Sequence, residues 1–282
     1  MQPATLMQAP LVRIRLSCIM TEHDTRFSAA IVRPPAASFV DGLTTSGLGA
    51  PDLPLACAQH AAYCAALEQL GVQVTALPPD PAFPDSTFVE DTAIVTARGA
   101  VLARPGAPSR AGEVVAMRPV LEACVGPLAA IAEPGTLDGG DVCQVGTTFL
   151  IGLSHRTNDE GARQLAALLR RVGYAAHTID IRGEDSLLHL KSGIAWLGGR
   201  DVVTVEALQD HPALQDFQLV VVKPQEAYAA NCVRINDTVL MAAGFPGLAA
   251  RVAALGHRVV TVDVSEFRKM DGGLSCLSLR LP

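Results

Sequence analysis

Residues 232–262, CVRINDTVLMAAGFPGLAARVAALGHRVVTV, hold one complete copy of the unit that builds this chain. Two β-rich apolar runs flank Asn236-Asp237, a residue pair suited to a tight turn, so they read as a hairpin. A helical stretch follows, and a third β-rich run leaves it as LGHRVVTV from Leu255. The same exit recurs as LGVQVTAL from Leu70 and VGYAAHTI from Val172. Paired strands of the same kind lie near 88–103, 142–153 and 193–205, turning at Arg98-Gly99, Gly146-Thr147 and Gly198-Gly199. A helix is expected after each pair. The clearest opens at the capping cluster Thr157-Asn158-Asp159-Glu160, sets Leu165, Leu168, Leu169 and Val172 on one face, and stops at Gly173.

The spacing of the exits gives units of roughly 50 residues or slightly fewer, in the range of radial and solenoid repeats. A strand at Ala29–Val32 and a helix over 55–70 precede any hairpin, while 275–281 offers a strand with no helix after it. Joined, the two chain ends supply a fifth unit and close a ring. One closed α/β domain over 27–282 is therefore expected, with a plain layered α/β sheet as the simpler alternative. Residues 1–26 lack the features of a signal peptide and read as a loose extension, with Met20 a candidate start of the folded chain.

Hydrophobic residues make up 49% of the 282, enough for a sizeable core. With Lys+Arg 22 against Asp+Glu 28, the net charge of -6 speaks against a nucleic-acid partner, which needs a clustered cationic face. No apolar run reaches the roughly 18 residues of a membrane span. Cysteines at 18, 57, 64, 124, 143, 232 and 276 form neither a C-x-x-C pair nor a disulfide framework, so reduced thiols in a cytoplasmic protein are expected.

Four polar segments fall at hairpin starts or strand ends, where a ring would gather them at its axis. FPDSTFVED (83–91) holds Asp85, Glu90 and Asp91, either turn caps and a solvated edge or an anionic cup for a cation. LDGGDV (137–142) places Asp138 and Asp141 around a Gly pair that allows φ > 0 or close backbone approach. At the end of that segment's own hairpin, Arg156 in GLSHRTN (152–158) sits at a helix mouth where the dipole disfavours a cation, which suits a carboxylate-holding role. LHLKS (188–192) reads as a strand start with His189 and Lys191 on one face. DGGLSCL (271–277) puts Cys276 after a Gly-Gly turn, also at a strand start. A Cys and a His distant in sequence but adjacent in a fold are a signature of thiol catalysis. No G-x-S-x-G, P-loop, G-x-G-x-x-G or H-E-x-x-H is present.

Together, VRPPAASFVDGLTTSGLG, FPDSTFVEDTAIV, RPGAPSR, LDGGDV, GLSHRTNDEGARQ, LHLKSG, YAANCVRIN and SEFRKMDGGLSCLSLR resemble, in order, the dimethylarginine dimethylaminohydrolases, guanidine-modifying enzymes akin to arginine deiminase. The resemblance spans about 29–281. It implies a five-bladed α/β propeller of strand-strand-helix-strand units that hydrolyses asymmetric dimethylarginine or monomethylarginine to citrulline and a methylated amine. It implies Cys276 as nucleophile, His189 as general acid/base and Asp138 as the carboxylate completing the catalytic group. Asp91 would be a guanidinium ligand, Asp85 and Glu90 neighbouring substrate contacts, and Leu43, Arg110, Arg156 and Met270 lining residues. Arg110 and Arg156 would face the substrate's amino-acid end. Many bacterial relatives and the deiminases carry Glu where Asp138 stands, so the shorter side chain must act from farther away. No metal and no organic cofactor is expected, and the partner is a small methylated arginine, bound by a monomer or homodimer. The alternatives are an arginine deiminase or other guanidine hydrolase, a metal-dependent hydrolase using the carboxylates and His189, and a non-catalytic binder of arginine derivatives.

Overall fold

The structure, a computed structural model, describes residues 26–282. The expectations placed on residues 1–25 therefore lie outside the described residues. Fifteen strands form five three-stranded sheets among them. In four sheets an antiparallel hairpin is followed by a strand that returns parallel to the hairpin's second strand. These are Ala93–Thr96 with Gly99–Leu102 and Ala129–Ala130, then Val142–Val145 with Thr148–Leu153 and Ala175–Asp180. Next come Ile194–Gly198 with Asp201–Val205 and Gln218–Val222, then Val233–Ile235 with Thr238–Ala242 and Arg258–Val262.

The fifth sheet joins the chain ends. Ala29–Val32 pairs antiparallel with Leu279–Leu281 and parallel with Gln73–Ala76, in the register Ala30↔Arg280 and Ala30↔Val74. The first strands of the units meet around a common axis, and one cavity there is lined by Ile94, Cys143, Ala195, Val233 and Leu279, one from each sheet. This is the five-unit α/β propeller, and the layered-sheet alternative falls.

Helices fill the crossovers at Leu53–Gln69, Glu113–Val125, Asp159–Arg171 and Pro246–Ala254. The Asp159–Arg171 helix is capped by Asn158, whose side chain accepts from Gly161 N–H, and buries Leu165, Ala166 and Leu169 against the Phe149–Tyr174 pair. Each fully buried Leu contributes about 2 kcal/mol of transfer free energy.

The expectation of a helix after every hairpin fails once. Between Val205 and Gln218 only two 3-10 turns form, Glu206–Leu208 and Pro212–Leu214. Pro212 lacks the amide a helix needs and disfavours helical backbone at His211, which instead adopts φ -67, ψ 132. Among the described residues no helix is long and apolar enough to cross a membrane.

Candidate active site

The polar segments sit on short 3-10 turns rather than on strands. Val89–Thr92, Gly139–Asp141, Leu190–Ser192, Pro224–Ala230 and Ser275–Leu277 each lead into the first strand of a unit. His189 is the extended residue ahead of one turn, and Cys276 is the middle of another. The expected strand starts at both positions are thus corrected, because the chain must swing into the axis before it can extend. Nor do His189 and Lys191 share a face: His189 borders the cavity that holds Cys276, and Lys191 borders the axial cavity behind it.

That front cavity is lined by Leu43, Asp85, Asp91, Arg110, Arg156, His189, Met270 and Cys276, all expected from sequence, together with Phe88, Leu188, Asp271 and Gly272. Asp138 stands behind His189 with no exposed surface. Its Oδ2 lies 3.0 Å from His189 Nε2, and its Oδ1 accepts from Gly106 N–H at 2.8 Å. The shorter aspartate therefore still reaches the imidazole. Asp91 accepts from Gly140 N–H at 2.7 Å through Oδ1 and from Arg110 Nη1 at 2.6 Å through Oδ2.

Close approach, not positive φ, explains the Gly pair. A Cβ on Gly140 would stand 2.7 Å from His189 Nδ1 and 2.8 Å from Asp91 Oδ1, and one on Gly139 would stand 2.0 Å from the Glu90 carbonyl oxygen. Asp141 does not face the cavity. It accepts from Ser154 Oγ, Thr157 Oγ1 and the Leu190 N–H, tying the His189 turn to the loop that carries Arg156.

Two expected substrate contacts are committed elsewhere. Glu90 accepts from Lys191 at 2.7 Å, from Ser275 Oγ at 2.7 Å and from Arg280, and borders the axial cavity rather than the front one. Burial opposes its charge, but Lys191 and Arg280 prevail and hold its carboxyl below the ordinary range. Arg110 lines the front cavity, yet its fork is taken by both oxygens of Glu113, by Asp91 and by the Phe88 carbonyl. Arg156 differs. Its Nη1 is buried without a hydrogen-bond partner, an expensive state that an anionic ligand would relieve. Asp85 accepts from Leu43 N–H at 3.0 Å, and burial raises its carboxyl above the usual range.

Burial, then Glu90 and Asp91, push the Cys276 thiol up to about 12. Burial alone would strip His189 of its proton, but Asp91, Asp141 and Asp138 outweigh it and raise the imidazole to about 9. His189 in turn helps hold Asp138 low against its own burial. At neutral pH Cys276 therefore rests as a thiol and His189 as an imidazolium. Alkylation of Cys276 by iodoacetamide, followed by mass spectrometry, should accordingly still be accelerating at pH 9. A plateau reached by pH 7 would contradict a thiol held high by its surroundings.

The ligand atoms of Asp91, Asp138 and His189 lie within 4.8 Å of one another, close enough to surround a cation. Among the residues that sequence reasoning left without a role, Asn231 and Arg280 lie in quoted segments. Asn231 bonds Lys191 and Ser275, some 40 residues away on either side, and Arg280 reaches Glu90 beside its local bonds to Ser275 and Ser278, so no local pattern announced these links.

The arginine deiminase family model matches residues 77–226. The chain is 45% identical over 255 residues to an N(G),N(G)-dimethylarginine dimethylaminohydrolase of Pseudomonas aeruginosa, covering 90% of this chain and 99% of the relative. It is 36% identical to a protein of the same name from Streptomyces coelicolor, over 89% of this chain and 96% of that one. A solved structure of the Pseudomonas aeruginosa enzyme, a cysteine-to-serine mutant complexed with citrulline, superposes with a TM-score of 0.88 at 44% identity, over 91% of this chain and all of that one. A histidine-to-glycine variant of such an enzyme, an adduct with S-methyl-L-thiocitrulline, gives 0.87 at 44% identity, over 90% of this chain and all of that one.

Proposed function

Because the chain belongs to the dimethylarginine dimethylaminohydrolase family, we propose that it hydrolyses Nω-methylated arginines to citrulline and a methylated amine, with Cys276 as nucleophile. The observation that carries this reading is the convergence of Cys276, His189 and Asp91 on one cavity, with Asp138 bonded to the imidazole at 3.0 Å.

A guanidinium carbon is a poor electrophile because its charge is spread over three nitrogens. Asp91, which borders the cavity, would accept from the N–H groups by charge-assisted hydrogen bonds and fix the carbon over the thiol, while Asp138 holds the imidazole in place. The bound cation opposes the negative field of Glu90 and Asp91 that keeps Cys276 protonated, so substrate binding favours release of the thiol proton to solvent. The thiolate then bonds to carbon. As the C–N bond to the methylated nitrogen breaks, His189 gives its proton to the departing amine. His189, now neutral, takes a proton from water, whose oxygen attacks the thiouronium carbon. The C–S bond breaks and citrulline leaves with Cys276 restored. One water is consumed per turnover, and the acid and base roles of His189 alternate. The phenyl and alkyl groups of Phe88, Leu188 and Met270 form the apolar side of the cavity, which suits N-methyl substituents. Arg156, with its unpartnered Nη1, would take the substrate carboxylate.

The test compares citrulline formation from asymmetric dimethylarginine, monomethylarginine and arginine with and without a metal chelator. Turnover of the methylated substrates, unchanged by chelation, is expected. Preference for arginine would favour a deiminase, the activity for which the matching family model is named. Loss of activity on chelation would favour a metal at Asp91, Asp138 and His189. A cytoplasmic location completes the reading, supported by the six free cysteines of the described residues.

A further inference from the structure

The axis-facing turns are stapled to one another by side chains. Asp91 accepts from Gly140 N–H, Asp141 from Leu190 N–H, and Glu90 from Ser275 Oγ. Between the turn that follows His189 and the turn that carries Cys276, Glu90 bridges Lys191 and Ser275 Oγ, and a second, direct link is made by an amide. Asn231 closes the Pro224–Ala230 turn and is buried, with 6% of its surface exposed. Its Oδ1 accepts from Ser275 N–H at 2.9 Å, and its Nδ2 donates to the Lys191 carbonyl at 3.0 Å. Ser275 immediately precedes the thiol, and Lys191 lies two residues beyond the imidazole. Gly273 makes room for the contact, since a Cβ there would stand 2.5 Å from Asn231 Cγ.

We propose that Asn231 is the positioning residue that sets the Cys276 turn against the His189 turn. The proposal rests on reading those two residues as nucleophile and acid/base. A side-chain amide suits this post because it presents an acceptor and a donor on one rigid plane. The link needs both, one for an N–H and one for a C=O. Aspartate has the same shape but only accepts, so it would keep Ser275 and repel the Lys191 carbonyl. Serine is too short to span the two. His189 must reach both the leaving amine and the incoming water while Cys276 is bonded to the same carbon. A displacement of about 1 Å between the two turns costs on the order of 10²-fold in rate.

Asn231→Asp and Asn231→Ser are compared with the wild type in the full chain. The readouts are kcat and KM for citrulline release from asymmetric dimethylarginine, the thermal midpoint, and the rate and pH profile of Cys276 alkylation by iodoacetamide. Both variants are expected to lose about 10²-fold in kcat with KM within roughly 3-fold, because Asp91, Asp138 and Arg156 are untouched. In Asn231→Ser the freed thiol turn should alkylate several-fold faster at a given pH. A folded variant with kcat within roughly 3-fold of wild type, or a lower midpoint with unchanged kcat and alkylation, overturns the proposal and leaves Asn231 a purely structural residue. If Asn231→Ser does not fold, the isosteric Asn231→Asp decides by its kcat. Should the wild type itself release no citrulline, the hydrolase reading fails separately. The alkylation rates, which need no substrate, then decide on Asn231: a changed rate supports the link and an unchanged one refutes it.

Discussion

Cys276→Ser should release no measurable citrulline from asymmetric dimethylarginine, a loss on the order of 10⁴-fold or more. Serine replaces sulfur with oxygen in a site where burial and two carboxylates already raise the thiol to about 12. A hydroxyl is a far weaker acid than a thiol, so the bound cation cannot bring it into the ionised form. The substitution removes little volume and leaves the 3-10 turn intact, because that turn is held by main-chain atoms, Cys276 N–H to the Gly273 carbonyl at 3.2 Å. The thermal midpoint should therefore stay within a few degrees of wild type. Binding of the substrate should also persist, since the carboxylates and Arg156 remain. Citrulline release near the wild-type rate from a folded Cys276→Ser protein would remove the thiol from the mechanism.

His189→Gly should split the reaction in two. With no imidazole to activate water, the thiouronium formed on Cys276 has no route to citrulline, and the protein should gain the mass of the substrate less its departing amine. Formation will also be slow, because the amine must leave without a proton from the site, so the adduct is expected after long incubation rather than in a burst. Loss of the ring leaves a cavity beside Asp138 and removes the partner that holds that carboxyl low, at a stability cost of roughly 2–4 kcal/mol. Intact-protein mass spectrometry after exposure to methylated arginine reads the result. Unmodified protein together with steady citrulline release would assign the acid and base roles to another group.

Much of this architecture was legible from one dimension, and particular residues show where legibility ended. The hairpins over 93–102, 142–153, 194–205 and 233–242 were readable because strand pairs need only alternating apolar residues and a turn pair such as Asn236-Asp237. The missing crossover helix at 206–217 was not anticipated, although Pro212 was in plain view. Helical residues on both sides of it masked the break.

Glu90 and Asp91 are adjacent in sequence and look like parts of one cup, yet they serve different cavities. On a 3-10 turn successive side chains diverge by about 120°, and only the turn type, not the composition, reveals that. His189 and Lys191 part because the backbone changes from extended at His189 to a 3-10 turn at Leu190–Ser192, which breaks the alternation of a strand. Arg110 was expected at the substrate's amino-acid end. That its fork closes on Glu113 and Asp91 depends on how the Glu113–Val125 helix packs beside the Val89–Thr92 turn.

By itself, then, the sequence determined the repeating unit and the joining of the chain ends into a fifth sheet, which follow from periodicity and turn chemistry, both local properties. The roles expected of Cys276, His189, Asp138 and Asp91 came from the family resemblance. Only the tertiary structure decided which carboxylate bonds the imidazole, which arginine keeps a free donor, and that Asn231 joins the thiol's turn to the imidazole's. Each of these depends on which residues far apart in sequence meet, and directional bonds a few ångströms long are set by the ring's closure rather than by any stretch of chain.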